Sequence, residues 1–184
     1  MRWHLPRSQA GAMDEASEQA RRLGQAACVV GLAYTAVSVY WAVGGTWLLS
    51  TVGDGLGKPG QADGLIVVMA VWAAVVLKLV GAIIPVVAIG EAPGRAAAAW
   101  KARLRLLTWV ETVILVGYGL VLTGVGLLVQ AGVIAPAAGA DHRALAWHAY
   151  LWDPWFLLWG LLVVAALVRS RHATSRAAEY ARAR

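Results

Sequence analysis

The sequence predicts an all-α fold: a polytopic membrane protein built as a four-transmembrane-helix bundle with both termini cytoplasmic. Three observations predict it. Of the 184 residues, 60% are hydrophobic and only 14% charged, where a soluble domain carries about 25% charged residues. The apolar residues gather into four runs, at about 26–49, 65–89, 106–131 and 147–168, and three of these reach the roughly 20 residues a helix needs to cross about 30 Å of hydrocarbon. The cations are partitioned between the connections. Arg2, Arg7, Arg21 and Arg22 precede the first run, Arg95, Lys101, Arg103 and Arg105 separate the second from the third, and Arg169, Arg171, Arg176, Arg182 and Arg184 follow the fourth. Lys58 and Arg143 are alone in the other two connections. This is the positive-inside pattern of an even number of spans, and it places the chain in the inner (plasma) membrane.

The net charge of +6 therefore reports topology and contact with anionic membrane lipids, and nucleic acid is not an expected partner. Cys28 is the one cysteine, so an intramolecular disulfide and membrane dithiol chemistry are excluded, and no metal-ligand spacing occurs. The first apolar run is too long for a cleavable signal and reads as a retained span. No hydrolase elbow, HExxH or nucleotide loop is present, and no span carries an interior histidine to ligate haem. No cofactor is expected. The excess of arginine over lysine, with Ala, Gly, Val and Leu dominant, hints at a high-GC bacterium.

Taken in order, residues 1–24 form a cytoplasmic tail. Within it Asp14–Leu23 suits a helical turn, with acids first and Arg21-Arg22 last to match the helix dipole. Span 1 carries a stripe of small residues, Gly31, Thr35, Ser38, Ala42 and Gly45, of the kind that lets backbones approach closely in a membrane. Tyr34 and Trp41 share a neighbouring face. The glycine-rich connection Thr51–Gly64 reads as an irregular outer loop. Span 2 has Lys78 near its middle and Pro85 as a kink or unwinding point. Arg95–Arg105 reads as a basic amphipathic helix on the inner surface, anchored by Trp100. Span 3 carries Glu111 and a second small stripe, Thr112, Val116, Gly119, Thr123 and Gly126. The matching stripes predict that spans 1 and 3 pack together. The domain thus runs over 25–169, and 170–184 is a basic cytoplasmic tail.

Span 4 poses a problem of length. Asp153-Pro154 is a helix-start signal, Asp as N-cap and Pro at the first position, yet a helix starting there is too short to span. Ala144–Trp152 must then be helical with a kink at Pro154, or dip irregularly into the outer leaflet, which is tolerated only inside protein or along a wet cavity.

Two groups of residues are candidates for chemistry. Lys78 and Glu111 are the ionisable residues deepest in the bilayer, where each is costly and normally faces the interior with a partner. They are expected to pair or to share a pocket between spans 2, 3 and 4, with Tyr118, seven residues beyond Glu111, on the same face. Glu111 would be the catalytic acid or base and Lys78 its partner. The alternative is a structural ion pair. The second group is the outer aromatic cluster. Along a continuous helix, His148, Trp152, Trp155 and Trp159 form one stripe, with Asp153 beside it and Trp41, Trp47 and Asp54 as neighbours from the first span. Aromatic faces with an acid suit a cationic or carbocationic centre, and His148 could serve as general acid or base. The competing reading is an interfacial belt with a helix cap.

YWAVGGTW (Tyr40–Trp47) and HAYLWDPWFLLWG (His148–Gly160) resemble a family of small actinobacterial four-span membrane proteins of unknown function, over roughly residues 25–170. The resemblance implies the architecture and supplies no activity and no site residues. From the residues themselves, the leading expectation is a protein that binds a small lipophilic or amphiphilic molecule around Glu111, and isomerises or cyclises it by proton transfer. Trp155, Trp159 and Tyr118 would be the pocket wall. The runners-up are a small proton-coupled transporter and a scaffold or accessory subunit, a homo-oligomer or a membrane partner being held through the small-residue stripes.

Overall fold

In a computed structural model, which describes residues 7–52, 64–90 and 94–182, the helices follow the apolar runs and three extend well beyond them at one end, while the first stops at Ala42, short of the expected Leu49. They are α1 (Arg7–Ala42), α2 (Gly64–Ile89), α3 (Arg95–Gln130), α4 (His142–Trp147) and α5 (Asp153–Arg182), with a π turn (His148–Trp152) joining the last two. With α4 and α5 counted as one continuous rod, four helices are long and apolar enough to cross a membrane. No strand occurs among the described residues.

α1 and α3 have 36 residues each, or about 54 Å at 1.5 Å per residue, well beyond the hydrocarbon thickness. The separate basic surface helix expected over Arg95–Arg105 is instead the first three turns of α3. Its sequence, RAAAAWKARLR, holds strong helix formers and no glycine or proline to break the helix before span 3. In α1 the polar turns continue into the span in the same way. Glu18 pairs there with Arg21 and Arg22 at 2.8 Å, at spacings of three and four residues. At the other end α1 stops at Ala42. Gly44 turns the chain at φ +96°, and the Tyr40 ring fills the space where a side chain on Gly45 would sit. A 3-10 turn over Leu49–Thr51 follows.

The four rods alternate in direction, so the starts of α1 and α3 lie beside the ends of α2 and α5. Arg169 Nη1 donates to Gln19 Oε1 at 2.7 Å and Arg105 Nη2 to Ser170 Oγ at 2.9 Å. The Arg171 guanidinium lies 4.6 Å from the centre of the Trp109 ring. Lys101 donates to the carbonyl oxygens of Ile89 and Gly90, closing the end of α2.

The expected pairing of spans 1 and 3 is not found; the two helices are diagonal. α5 packs along both α1 and α3, and α1 packs along α2, while the α2–α3 seam is the sparsest of the four. Both glycine stripes meet α5. A Cβ on Gly31 of α1 would fall 2.7 Å from the Trp159 ring of α5 and 2.9 Å from Ala82 of α2, and one on Gly119 of α3 would fall 2.6 Å from the Leu157 backbone nitrogen. Gly160 of α5 returns the same closeness toward Val116. Small residues set how near two helices come, and the bulk of the facing helix decides which two. The large residues Trp159 and Leu157 both lie on α5.

The fourth rod resolves the length problem by starting early. Asp141, not Asp153, is the N-cap; its side chain accepts from the backbone N–H of Arg143 and Ala144. The helix then runs through Pro154. Proline has no N–H and its ring clashes with the carbonyl four residues back. The π turn just before it widens the ladder, the Asp153 N–H bonding to the His148 carbonyl. α2 likewise continues through Pro85, which is buried, without unwinding.

Candidate functional site

The residues singled out for chemistry separate into two places. Lys78, Glu111, Tyr118 and Trp159 share the wall of a cavity of about 450 Å³ between α2, α3 and α5, floored and roofed by aliphatic side chains such as Leu77, Ile84 and Ile114. It lies at the sparse α2–α3 seam, where the lining residues Leu77 and Ile114 are 73% and 61% exposed, so its mouth opens sideways on the apolar outer face of the bundle.

Glu111 reaches across the seam to α2 at Gly81. A Cβ there would fall 2.7 Å from Glu111 Oε1 and 3.6 Å from the edge of the Trp159 ring. The absence of a side chain at position 81 lets the carboxyl in. Glu111 Oε1 is buried and has no hydrogen-bond partner among the described residues. Trp159 Nε1, on the ring edge beside Gly31, is also without one.

Lys78, three residues earlier on α2, shares this cavity but does not pair with Glu111. Its ammonium turns toward α1, donates to Ser38 Oγ at 2.8 Å and lies 4.7 Å from the centre of the Tyr34 ring. A second cavity, of about 350 Å³, lies between α1 and α2, and Ala74 and Lys78 belong to the walls of both. Trp41 lines this second cavity, toward the loop end.

The outer aromatic cluster packs closely around Tyr34, with Trp41 and Trp159 at its edges against the two cavities. Trp152 and Trp159 are 1% and 2% exposed. Tyr34 is its hub, with ring centroids 5.9 Å from Trp152, 5.3 Å from Trp155 and 4.6 Å from Phe156. Trp41 meets Trp152 edge-on at 5.4 Å. Trp155 is not in the wall of the first cavity as expected; its Nε1 donates to the Val30 carbonyl of α1 at 3.1 Å. Phe156 takes its place, 5.6 Å from Tyr118. A continuous stripe along span 4 put Trp155 in that wall, but adjacent residues on a helix point about 100° apart. Trp155 therefore turns to α1 and Phe156 to the seam.

Several polar atoms of this end are paired, although Thr123 Oγ1 is buried without a partner among the described residues. Trp152 Nε1 donates to Thr51 Oγ1, Thr51 Oγ1 to the Leu48 carbonyl, and Trp41 Nε1 to the Trp47 carbonyl. Asp153, 4% exposed, is no cap. Its Oδ1 lies 3.2 Å from His148 Nδ1. In an α-helix, residues five apart point about 140° away from each other; the π turn brings these two onto one side. Asp54, expected as a neighbour, lies outside the described residues, as does Lys58.

Sequence reasoning missed Tyr34, Ser38, Gly81 and Phe156. Ser38 and Tyr34 were read as packing because small and aromatic residues on a span most often are. The signal available was their helical phase, one turn apart and facing the only helix with a mid-span lysine. Gly81 gave none.

Among the described residues no group of three or more His, Cys, Asp or Glu is placed to hold a metal. The geometry is that of a lipid-facing apolar cavity with a single carboxyl in its wall, backed by an aromatic core. No curated protein and no solved structure matches the chain. A family model described as "Protein of unknown function (DUF3995)" matches residues 29–163, a stretch that takes in Lys78, Glu111 and the whole aromatic cluster. The chain belongs to the DUF3995 family, of unknown function, and its own four apolar helices fit a small membrane protein.

Proposed function

We propose that this protein binds a small lipophilic molecule in the cavity between α2, α3 and α5, with Glu111 as the polar anchor. One observation carries the reading: a buried carboxyl oxygen without a partner in the wall of an otherwise apolar cavity of about 450 Å³. Ligand sites of this size are apolar with few polar groups, and an unsatisfied buried polar atom costs about 1–3 kcal/mol. A ligand that donates a hydrogen bond or carries a cation would supply the missing partner. Its apolar body would enter through the lateral mouth from the bilayer.

The same carboxyl suits proton transfer to a carbon–carbon double bond. As an acid it adds a proton to one carbon, and as the resulting carboxylate it removes one from the neighbouring position, so the bond shifts with no net loss of protons. The cationic centre between the two steps would lie against Phe156, Trp159 and Tyr118, whose ring faces favour positive charge. The thirteen-to-two partition of cations supports a topology with the ends of the chain on the cytoplasmic side of the plasma membrane, which would set Glu111 and Lys78 in the inner half.

Proton-coupled transport is the second reading, favoured by the contact of the two cavities at Ala74 and Lys78. Glu111, Lys78 and Ser38 then form a polar series across the bundle. A scaffold acting through its small stripes has less support, because Gly31, Thr35, Ser38, Thr112 and Gly119 are buried inside the bundle.

The test is native mass spectrometry with lipid extraction on mildly solubilised protein, wild type against Glu111→Gln. A discrete non-phospholipid molecule should copurify with wild type and be lost or altered in the variant. Bulk phospholipid alone in both would sink the ligand reading, and proton flux in liposomes would then be measured.

A further inference from the structure

We propose that the cavity between α1 and α2 is a second binding site, for a single-chain anionic amphiphile whose headgroup is held by the Lys78 ammonium. Lys78 is the starting point. An ionisable residue at this depth normally has a countercharge, yet among the described residues no carboxylate lies within ion-pair distance of its Nζ. An ammonium has three N–H donors. One goes to Ser38 Oγ and another direction is taken by the Tyr34 ring face, which leaves the charge uncompensated and a donor free. Both fixed contacts hold the nitrogen at the boundary of the second cavity.

The cavity fits the rest of such a molecule. It runs from Lys78 and Ser38 toward the loop end, its walls formed by Trp41, Leu49, Val67 and Val71, and about 350 Å³ lies within the range of small-ligand sites. Among the described residues that line it, Lys78 alone is charged, and it stands at the deep end. A bilayer phospholipid keeps its headgroup at the interface and cannot place it beside Lys78 with its chains toward the loops. A free long-chain carboxylate can enter headgroup first. This site does not rest on the role proposed for Glu111, whose carboxyl lies against Gly81 in the first cavity.

The experiment uses the full chain in detergent and native mass spectrometry, with palmitate, hexadecanol and phosphatidate as probes. Palmitate should bind at least tenfold more tightly than hexadecanol, and phosphatidate should not compete. Lys78→Met should abolish the preference for palmitate, Lys78→Arg should keep it, and Val71→Phe should weaken palmitate by filling the cavity with the cation intact. Glu111→Gln should leave palmitate binding unchanged, so failure of this site and failure of the first are read separately. Equal binding of palmitate and hexadecanol to wild type would overturn the proposal. So would palmitate binding that survives Lys78→Met, or effective competition by phosphatidate. If Lys78→Met does not fold, Val71→Phe and Lys78→Arg still decide.

Discussion

The loop end of the bundle and the α2–α3 seam are built from similar residues and treat their polar atoms in opposite ways. At the loop end, Trp41, Trp152 and Trp155 each place the indole N–H on an oxygen, and His148 sits on Asp153. At the seam, the Glu111 carboxyl faces a void with one oxygen unpartnered. The first region closes around Tyr34 and Trp152 and leaves space only on its Trp41 side, among the described residues; the second keeps space and an unsatisfied carboxyl at its centre. A membrane bundle has no water-driven collapse to close such gaps, since lipid tails are as apolar as its own side chains. Where helices do close, it is because shapes interlock, as Gly31, Gly119 and Gly160 do with the side chains opposite them. The most conspicuous stretch of sequence therefore marks the structural anchor, and the plainer helices hold the candidate site.

Trp152→Ala tests that division with the largest expected effect. The side chain is 1% exposed, touches Tyr34, Trp41 and Trp155, and ties the last span to Thr51. Truncating a buried tryptophan costs about 3–5 kcal/mol, to be read as a lowered melting temperature in detergent with no ligand added. A fall of less than about 1 kcal/mol, below the range for core truncation, would mean that the loop end is a loosely held site after all.

A pair of glycine variants sharpens the comparison. A methyl on Gly119 meets the Leu157 backbone nitrogen at 2.6 Å, and backbone inside a packed helix pair cannot step aside. Overpacking of this kind costs about 1–3 kcal/mol. A methyl on Gly81 also meets an atom at 2.7 Å, but that atom is the tip of Glu111, a flexible side chain with a cavity beside it. Gly81→Ala should therefore cost under about 1 kcal/mol of stability, below the overpacking range, while displacing the carboxyl and weakening the ligand found with wild type. Equal destabilisation by the two substitutions would show that the seam is as rigid as the core.

How much of this was legible in the sequence follows the same physics. The four spans were legible because crossing hydrocarbon demands long apolar runs. So was the gathering of Lys78, Glu111, Tyr118 and Trp159, because ionisable residues in a span must face inward and helical phase then fixes their neighbours. Three features were hidden. Stripes of small residues announce close approach but not to which helix, so Gly119 was paired with α1 when its partner is Leu157 of α5. Asp153-Pro154 carries a start signal, and only the π turn, stabilised by tertiary packing around Trp152, shows the helix passing through it with Asp141 as the cap. The destination of Lys78 depended on a hydroxyl, Ser38 Oγ, that in sequence is one small residue among several.

The smallest effect on stability carries the most weight for the seam. Glu111→Leu removes a carboxyl whose Oε1 has no partner and fills its place with a side chain suited to the cavity wall. Replacing a buried polar group by an apolar one of similar size is nearly neutral or stabilising when the group made no hydrogen bond, so the melting temperature should stay level or rise slightly, by no more than about 1 kcal/mol. A structural carboxyl would behave otherwise: were Glu111 holding α2 to α3, its loss would leave α2 unanchored along the sparsest seam and stability would fall by several times that amount. A variant as stable as wild type and empty of its lipophilic ligand would place Glu111 on the side of function. A variant that unfolds would make the seam a second anchor and remove the contrast between the two regions.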